Sequence, residues 1–123
     1  MDSIYANIIQ DIKEKSHKRL IGWMSSSYEG VYEANLGKGS IMITFDLAEY
    51  EEYKSNTKPS SNSPIVSLSF LNERGEVFKS IDCYSTLDSN FNDLKEIYES
   101  AHNNYMKIDE TLQSMLDDLN GRK

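Results

Sequence analysis

The chain has 123 residues, of which 38% are hydrophobic and 27% are charged. This composition is typical of one globular domain that builds its own core without disulfides or metal ions. Residues 1–40 hold equal numbers of acids and bases, so the whole formal net charge of -7 lies in residues 41–123. A net acidic chain is repelled by phosphate groups, which argues against nucleic acid and against anionic membranes as partners.

Cysteine usage and hydropathy predict the compartment. Cys83 is the only cysteine, which excludes an internal disulfide and fits a reducing environment. The first residues lack a basic stretch followed by an apolar one, so no signal peptide is predicted. No apolar run approaches the roughly 18 residues that a membrane-spanning helix needs. We therefore expect a cytoplasmic protein that does not enter a membrane.

An amphipathic helix is predicted over residues 3–19. Its apolar residues recur at the spacing of a 3.6-residue period, and its charged residues occupy the opposite side. The apolar stripe consists of Ile4, Ile8, Ile9 and Ile12.

An antiparallel β-meander of four to five strands is predicted next. Alternating or continuous apolar runs give strands at residues 31–36, 41–45, 65–71 and 77–83, and Trp23 with its neighbours adds a short first strand. The turn at residues 37–39 contains two glycines, and the turn at residues 72–75 ends in Gly75. Both are typical of hairpins, because glycine readily adopts the positive φ that such turns require.

Two helices are predicted to close the domain, with a break between residues 103 and 108. The first has an apolar stripe of Phe91, Leu94, Ile97, Tyr98 and Ala101. The second begins near Asp109, ends at Gly121, and has a stripe of Leu112, Met115, Leu116 and Leu119. We expect both stripes to pack on the sheet. The predicted fold is therefore a single α+β domain in the order α-β(4–5)-α-α, with three helices covering one sheet face.

The connection formed by residues 46–64 is far longer than the about two to five residues of a hairpin loop. Its first part is acidic and aromatic, and its second part is rich in Ser, Asn, Thr and Pro. The second composition predicts a flexible loop at about residues 54–64, inserted in the single domain that spans residues 1–123.

No catalytic or metal-binding pattern emerges from the sequence. The Gly-Lys-Gly-Ser run at residues 37–40 lacks the spacing of a phosphate-binding loop and precedes a strand. Cys83 alternates in phase with Ile81, which predicts a buried small side chain, and no spacing joins it to His17 or His102. We expect no enzyme activity, no metal ion and no cofactor.

A partner-binding site is predicted on the acidic, tyrosine-bearing part of the long connection. Tyrosines beside acids are typical of protein interfaces, with the rings as anchors and the acids as a steering rim. The alternative, in which the two tyrosines fold back over the sheet edge, stays open at this point. The predicted site residues are Glu49, Tyr50, Glu51, Glu52 and Tyr53.

The closing stretch resembles the tail of small, largely uncharacterised bacterial α+β accessory domains. It reads Leu94-x-x-Ile97-Tyr98-x-x-Ala101, then Ile108-Asp109-x-x-Leu112-x-x-Met115-Leu116-x-x-Leu119. In those domains a Gly and a Trp open the meander, as Ile21-Gly22-Trp23 does here, although Gly directly before Trp departs from the usual spacing. Such domains occur alone or beside signalling and phage-defence effectors. The resemblance implies an accessory or inhibitory role, and it transfers no functional residues.

Two functions fit these observations. The first is a non-catalytic protein–protein interaction module, whose acidic surface suits a partner with a basic surface. The alternative is a protein that binds a small ligand or a nucleotide signal in a pocket between the sheet and the helices.

Overall fold

The computed structural model describes residues 3–26, 28–56 and 63–121, and it confirms the predicted α+β fold. Five strands form one antiparallel sheet in the order β1-β2-β3-β4-β5. In chain order the elements are α1 (Ser3–His17), β1 (Met24–Ser25), β2 (Val31–Leu36), β3 (Gly39–Phe45), α2 (Leu47–Asn56), β4 (Val66–Leu71), β5 (Val77–Cys83), α3 (Phe91–Met106) and α4 (Ile108–Gly121). In this part of the chain, no helix has the length and apolarity to cross a bilayer.

The helix α2 is an element that the sequence analysis did not assign. It occupies the first part of the long connection between β3 and β4. Residues 54–56 of the predicted flexible loop form the end of this helix, and residues 57–62 lie outside the described part of the chain.

Both predicted hairpin turns are present at the same end of the sheet. Gly37 has a φ of +56°, and Leu36 pairs with Gly39 across the first turn. A side chain at Gly39 would overlap the backbone oxygen of Leu71 on the neighbouring strand, so this position requires glycine. In the second turn, the side chain of Asn72 accepts hydrogen bonds from two backbone N–H groups before the chain enters β5.

A register shift between Phe70 and Leu71 interrupts the β4–β5 ladder close to the second turn. Such bulges bend a strand and redirect its side chains. On the partner strand, Val77 and Phe78 are 55% and 61% exposed. Apolar side chains therefore reach solvent at the turn end of the sheet.

One face of the sheet forms the core, and the other presents mainly polar side chains. The helices α1 and α3 lie side by side over the apolar face, where Asp93 of α3 accepts hydrogen bonds from Gln10 and Lys13 of α1, each at 2.8 Å. The indole N–H of Trp23 donates to Ser16 Oγ at 3.0 Å, so the buried polar atoms at the end of α1 are paired. The buried core residues of the strands are Tyr32, Ala34, Ile41, Ile43, Val66, Leu68, Phe70, Ile81 and Cys83, and those of α1 and α3 are Ile9, Ile12, Phe91, Leu94, Ile97 and Ala101.

The prediction that the last helix belongs to the core is wrong. Every described side chain from Glu110 to Gly121 is exposed. The helices α1 and α3 cover most of the apolar face of the sheet, and α4 does not pack on the part that remains. Lys107 separates α3 from α4 in a left-handed conformation with a φ of 53°, and its N–H bonds to the carbonyls of Asn103 and Asn104. This turn directs α4 away from the sheet.

We expect Leu116→Ala to change the free energy of unfolding by less than about 0.5 kcal/mol, because Leu116 is 50% exposed and contacts no core. The matched change Leu94→Ala should lower the free energy of unfolding by about 2–5 kcal/mol, because Leu94 on α3 is 0% exposed. Urea unfolding of the two variants measures both values. A loss of more than 2 kcal/mol in Leu116→Ala would show that α4 packs on the core after all.

Candidate functional site

The sequence-predicted site lies on α2, whose first turn is held by Asp46. The Asp46 carboxylate accepts a hydrogen bond from the backbone N–H of Glu49 at 3.1 Å. Tyr50 then turns inward and is half-buried. Its ring meets Phe45 edge-on with centroids 5.5 Å apart and stacks on Phe91 at 6.0 Å. Tyr50 therefore extends the aromatic core between the sheet and α3.

Tyr53 fixes the second turn of α2 to the loop between β5 and α3. Its hydroxyl lies 3.1 Å from Ser85 Oγ and 3.3 Å from Thr86 Oγ1. Both tyrosine rings pack against the core cluster. Both tyrosines therefore fold back onto the core, as in the alternative considered from the sequence, and their role in partner binding stays a prediction.

The acids of the predicted site face solvent. Glu51 and Glu52 are exposed, and Glu51 lies 3.6 Å from Lys54 in a surface ion pair. Glu49 is half-exposed at the start of the helix. The role of these carboxylates in attracting a basic partner stays a prediction.

The candidate nucleophile Cys83 is inaccessible. It is 1% exposed at the end of β5, and burial, followed by nearby Asp88 and Asp82, raises its pKa to about 12. The side chain therefore remains a protonated thiol at neutral pH. Among residues 3–26, 28–56 and 63–121, no three His, Cys, Asp or Glu side chains are grouped so that they could hold a metal ion.

A Tyr–His pair at the end of α3 was missed by the sequence analysis. Tyr32 Oη lies 2.6 Å from His102 Nδ1, and Tyr105 packs beside the pair with its ring 5.6 Å from Tyr32. Burial raises the pKa of Tyr32, so the hydroxyl stays protonated at neutral pH, and a hydrogen bond joins it to His102 Nδ1. The pair joins β2 to α3 close to the α3–α4 junction. Tyr32 and His102 are 70 positions apart, and no local pattern relates them.

Among the described helices, α4 exposes the largest number of large apolar side chains. Leu112, Met115, Leu116 and Leu119 are 59%, 56%, 50% and 70% exposed. Their spacing places them on one side of a 3.6-residue helix. The polar residues Glu110, Gln113, Ser114 and Asp117 lie on the opposite side, where they border a shallow groove shared with Arg19. The helix therefore turns its polar side toward the rest of the chain and its apolar side toward solvent.

An open apolar cleft lies at the turn end of the sheet, beside α1. It has a volume of about 750 Å³. Among the apolar residues that line the cleft, Ile41 and Phe70 are buried, while Leu36 and Phe78 are exposed. The charged side chains in its lining are Lys38, Glu73 and Arg74.

Comparisons with protein-family models, with curated proteins and with solved structures found no match. The two exposed apolar surfaces are therefore interpreted from their own chemistry, and the resemblance to bacterial accessory domains stays a prediction.

We expect Tyr53→Phe to lower the free energy of unfolding by about 1 kcal/mol, because the change removes hydrogen bonds at the tyrosine hydroxyl and preserves the ring. The control is Tyr28→Phe, since Tyr28 is 74% exposed. Paired urea titrations measure the difference. Equal stability of the two variants would contradict the structural role of Tyr53.

We expect the Cys83 thiol to resist an aromatic disulfide reagent in the native protein at pH 8, because it is buried and has a raised pKa. Unfolding in urea should expose it and restore the reactivity of a free thiol. The absorbance of the released thiolate follows both reactions. Rapid stoichiometric modification of the folded protein would show that Cys83 is accessible.

Proposed function

We propose that this chain is a non-catalytic protein-binding module that presents the apolar stripe of α4 to a groove on another protein. The observation that carries this proposal is the exposure, between 50% and 70%, of four large apolar side chains on one helix face. Exposed apolar patches of this kind mark interaction sites on soluble proteins. An amphipathic helix seated in an apolar groove is a recurring mode of protein recognition.

The stability of α4 itself supports the proposal. The helix has 14 residues, and isolated helices shorter than about 12–15 residues are marginal in water. Full burial of one Leu or Met side chain contributes about 1.5–3 kcal/mol. A partner that covers the stripe therefore stabilises the helix and gains binding energy from the same contact.

The charge of α4 indicates the chemistry of the partner. The helix contains Asp109, Glu110, Asp117 and Asp118, and the described chain has no Lys or Arg between Ile108 and Gly121. Asp117 and Asp118 lie near the helix C-terminus, where the helix dipole is also negative. Lys or Arg side chains along the margins of a groove would complement this charge. A basic partner also agrees with the net charge of the chain.

The biological setting that we propose is an accessory or inhibitory role beside a bacterial defence or toxin-type effector. Its support is the resemblance of the meander opening and the closing helices to bacterial accessory domains. Co-expression with products of neighbouring genes, followed by co-purification, tests this setting.

The apolar cleft favours a second candidate function, the binding of a small ligand. Its position beside Ile8 of α1 fits a pocket between helix and sheet. The mainly apolar lining suits an apolar molecule better than a nucleotide, whose phosphates need several converging donors. A rise of the melting temperature with apolar compounds, without a rise with nucleotides, would support this candidate.

The test of the proposed function places a photoactivatable amino acid at Leu116 of the full chain and, as a matched control, at Gln113 on the opposite face. In lysate of the source cells, we expect a protein adduct at position 116 that is absent at position 113. Unlabelled wild-type protein should reduce the amount of adduct, because it competes with the labelled protein for the same groove on the partner. Leu112→Glu, Leu116→Glu protein should not compete.

A third variant distinguishes α4 from the sequence-predicted site on α2. Reversal of Glu51 and Glu52 to Lys leaves the stripe intact, so this protein should still compete for the adduct at position 116. Loss of competition by this variant, with full competition by the α4 double variant, would assign binding to α2 and contradict the proposal.

A further inference from the structure

We infer that α4 of one chain binds the apolar cleft of a second chain, so that two copies form a closed pair with two identical contacts. The inference rests on the proposed function, because it names a second copy as a partner of the α4 stripe. It is drawn from the two apolar surfaces that the fold leaves uncovered.

The two surfaces match in apolar character. The stripe of α4 offers aliphatic side chains at helical spacing, and the helix is about 21 Å long. The cleft offers the partly exposed rings and aliphatic groups of Phe78, Leu36 and Ile8 around a volume of about 750 Å³. Water in this cleft lies against a mainly apolar lining. Replacement of that water by aliphatic side chains is favourable for both surfaces.

The charges of the two surfaces also complement each other. The cleft carries Lys38 and Arg74 against one acid, Glu73. Arg74 is 82% exposed and its Nε lies 2.9 Å from Glu76, so its guanidinium retains further donors toward solvent. The acids Asp117 and Asp118 lie at the end of α4 where the helix dipole is negative. Lys38 and the remaining donors of Arg74 can therefore pair with the acids of α4, whereas two α4 helices that pair directly bring like charges together.

The position of α4 favours binding to the cleft of a second chain over binding to the cleft of its own chain. The α3–α4 junction lies beside Tyr32, at the start of β2, since the ring of Tyr105 is 5.6 Å from that of Tyr32. The cleft begins at Leu36, at the other end of β2 and about 13 Å further along the strand. The polar face of α4 borders the groove with Arg19, so the stripe points away from its own chain.

Two-fold symmetry covers both of these apolar surfaces, the α4 stripe and the cleft, at once. Each chain contributes one helix and one cleft, so a closed pair covers two helices and two clefts with one repeated contact. A pair formed by α4 against α4 would leave both clefts exposed to water. The same pair also keeps α4 covered until another protein with a competing groove is present.

The experiment is sedimentation equilibrium of the full chain over a concentration series, with three variants of apolar residues and the charge variant Lys38→Glu. Leu116→Glu places a charge in the stripe, and Phe78→Glu places one in the cleft. Leu87→Glu is the control, because Leu87 is 83% exposed in the loop after β5, outside both surfaces. Phe78 and Leu116 are each at least half exposed, so all three proteins should melt cooperatively.

We expect the wild type and Leu87→Glu to form dimers. Leu116→Glu and Phe78→Glu should each weaken dimerisation at least tenfold, equivalent to about 1.4 kcal/mol. A mixture of these two variants retains one intact helix and one intact cleft in the mixed pair. It should therefore associate more strongly than either variant alone. Lys38→Glu should weaken dimerisation and reduce its dependence on salt.

Other outcomes overturn the inference. A wild type that stays monomeric contradicts it, and the proposed function survives in that case if the adduct at position 116 still forms with another protein. Dimers lost in Leu116→Glu but unchanged in Phe78→Glu indicate pairing of α4 with α4. Dimers lost in Phe78→Glu alone indicate that the turn end of the sheet pairs without α4. A monomer whose melting temperature rises with lauric acid, but not with dodecyltrimethylammonium, assigns the cleft to a small anionic amphiphile.

Discussion

The constraint on which the structure depends is that only one face of the five-stranded sheet is apolar, and that three helices cover most of it before α4 begins. The helices α1 and α3 lie side by side over the buried strand residues, and Asp93 of α3 binds Gln10 and Lys13 of α1 along their shared edge. Tyr50 and Tyr53 of α2 complete the cover at one side. What this layer leaves open is the cleft at the turn end of the sheet, whereas α4 begins near the other end of β2. The exposed stripe of α4 follows from this arrangement, because the helix does not pack on the part of its own sheet that remains open.

The solvent-accessible surface area of the chain is larger than expected for a compact monomer of its mass. It measures 8165 Å², whereas a compact monomer of 14.1 kDa is expected to expose about 6,700 Å². The protruding α4 accounts for part of the excess, since all its described side chains after Ile108 are exposed. The excess is larger than the about 800 Å² that each partner buries in an interface of standard size. A partner on α4 would bring the surface of the chain closer to that of compact proteins.

The sequence predicted the strands, both hairpin turns and the break near Lys107, because these depend on local alternation, on glycine and on helix periodicity. It also predicted the stripe of α4, but not what covers it, since periodicity shows that a face is apolar without identifying its neighbour. The helix α2 was missed because its tyrosines break the simple apolar pattern and contact Phe45, Phe91 and Ser85, which lie elsewhere in the sequence. The apolar cleft likewise arises from two turns and α1, which only the folded chain brings together.

The turn at Lys107 sets the orientation of α4. A lysine in the left-handed region is disfavoured by roughly 1–2 kcal/mol, so the local sequence does not select this turn by itself. Its N–H group is fixed by the carbonyls of Asn103 and Asn104, and Asn104 in turn donates to the carbonyl of Ser16 in α1. The core helices therefore fix the direction in which α4 leaves the domain. A helix whose direction is fixed before it meets its partner loses less conformational entropy on binding. A flexible tail with the same stripe would bind more weakly for the same buried area, which explains why an element outside the core is nevertheless held by contacts from within it.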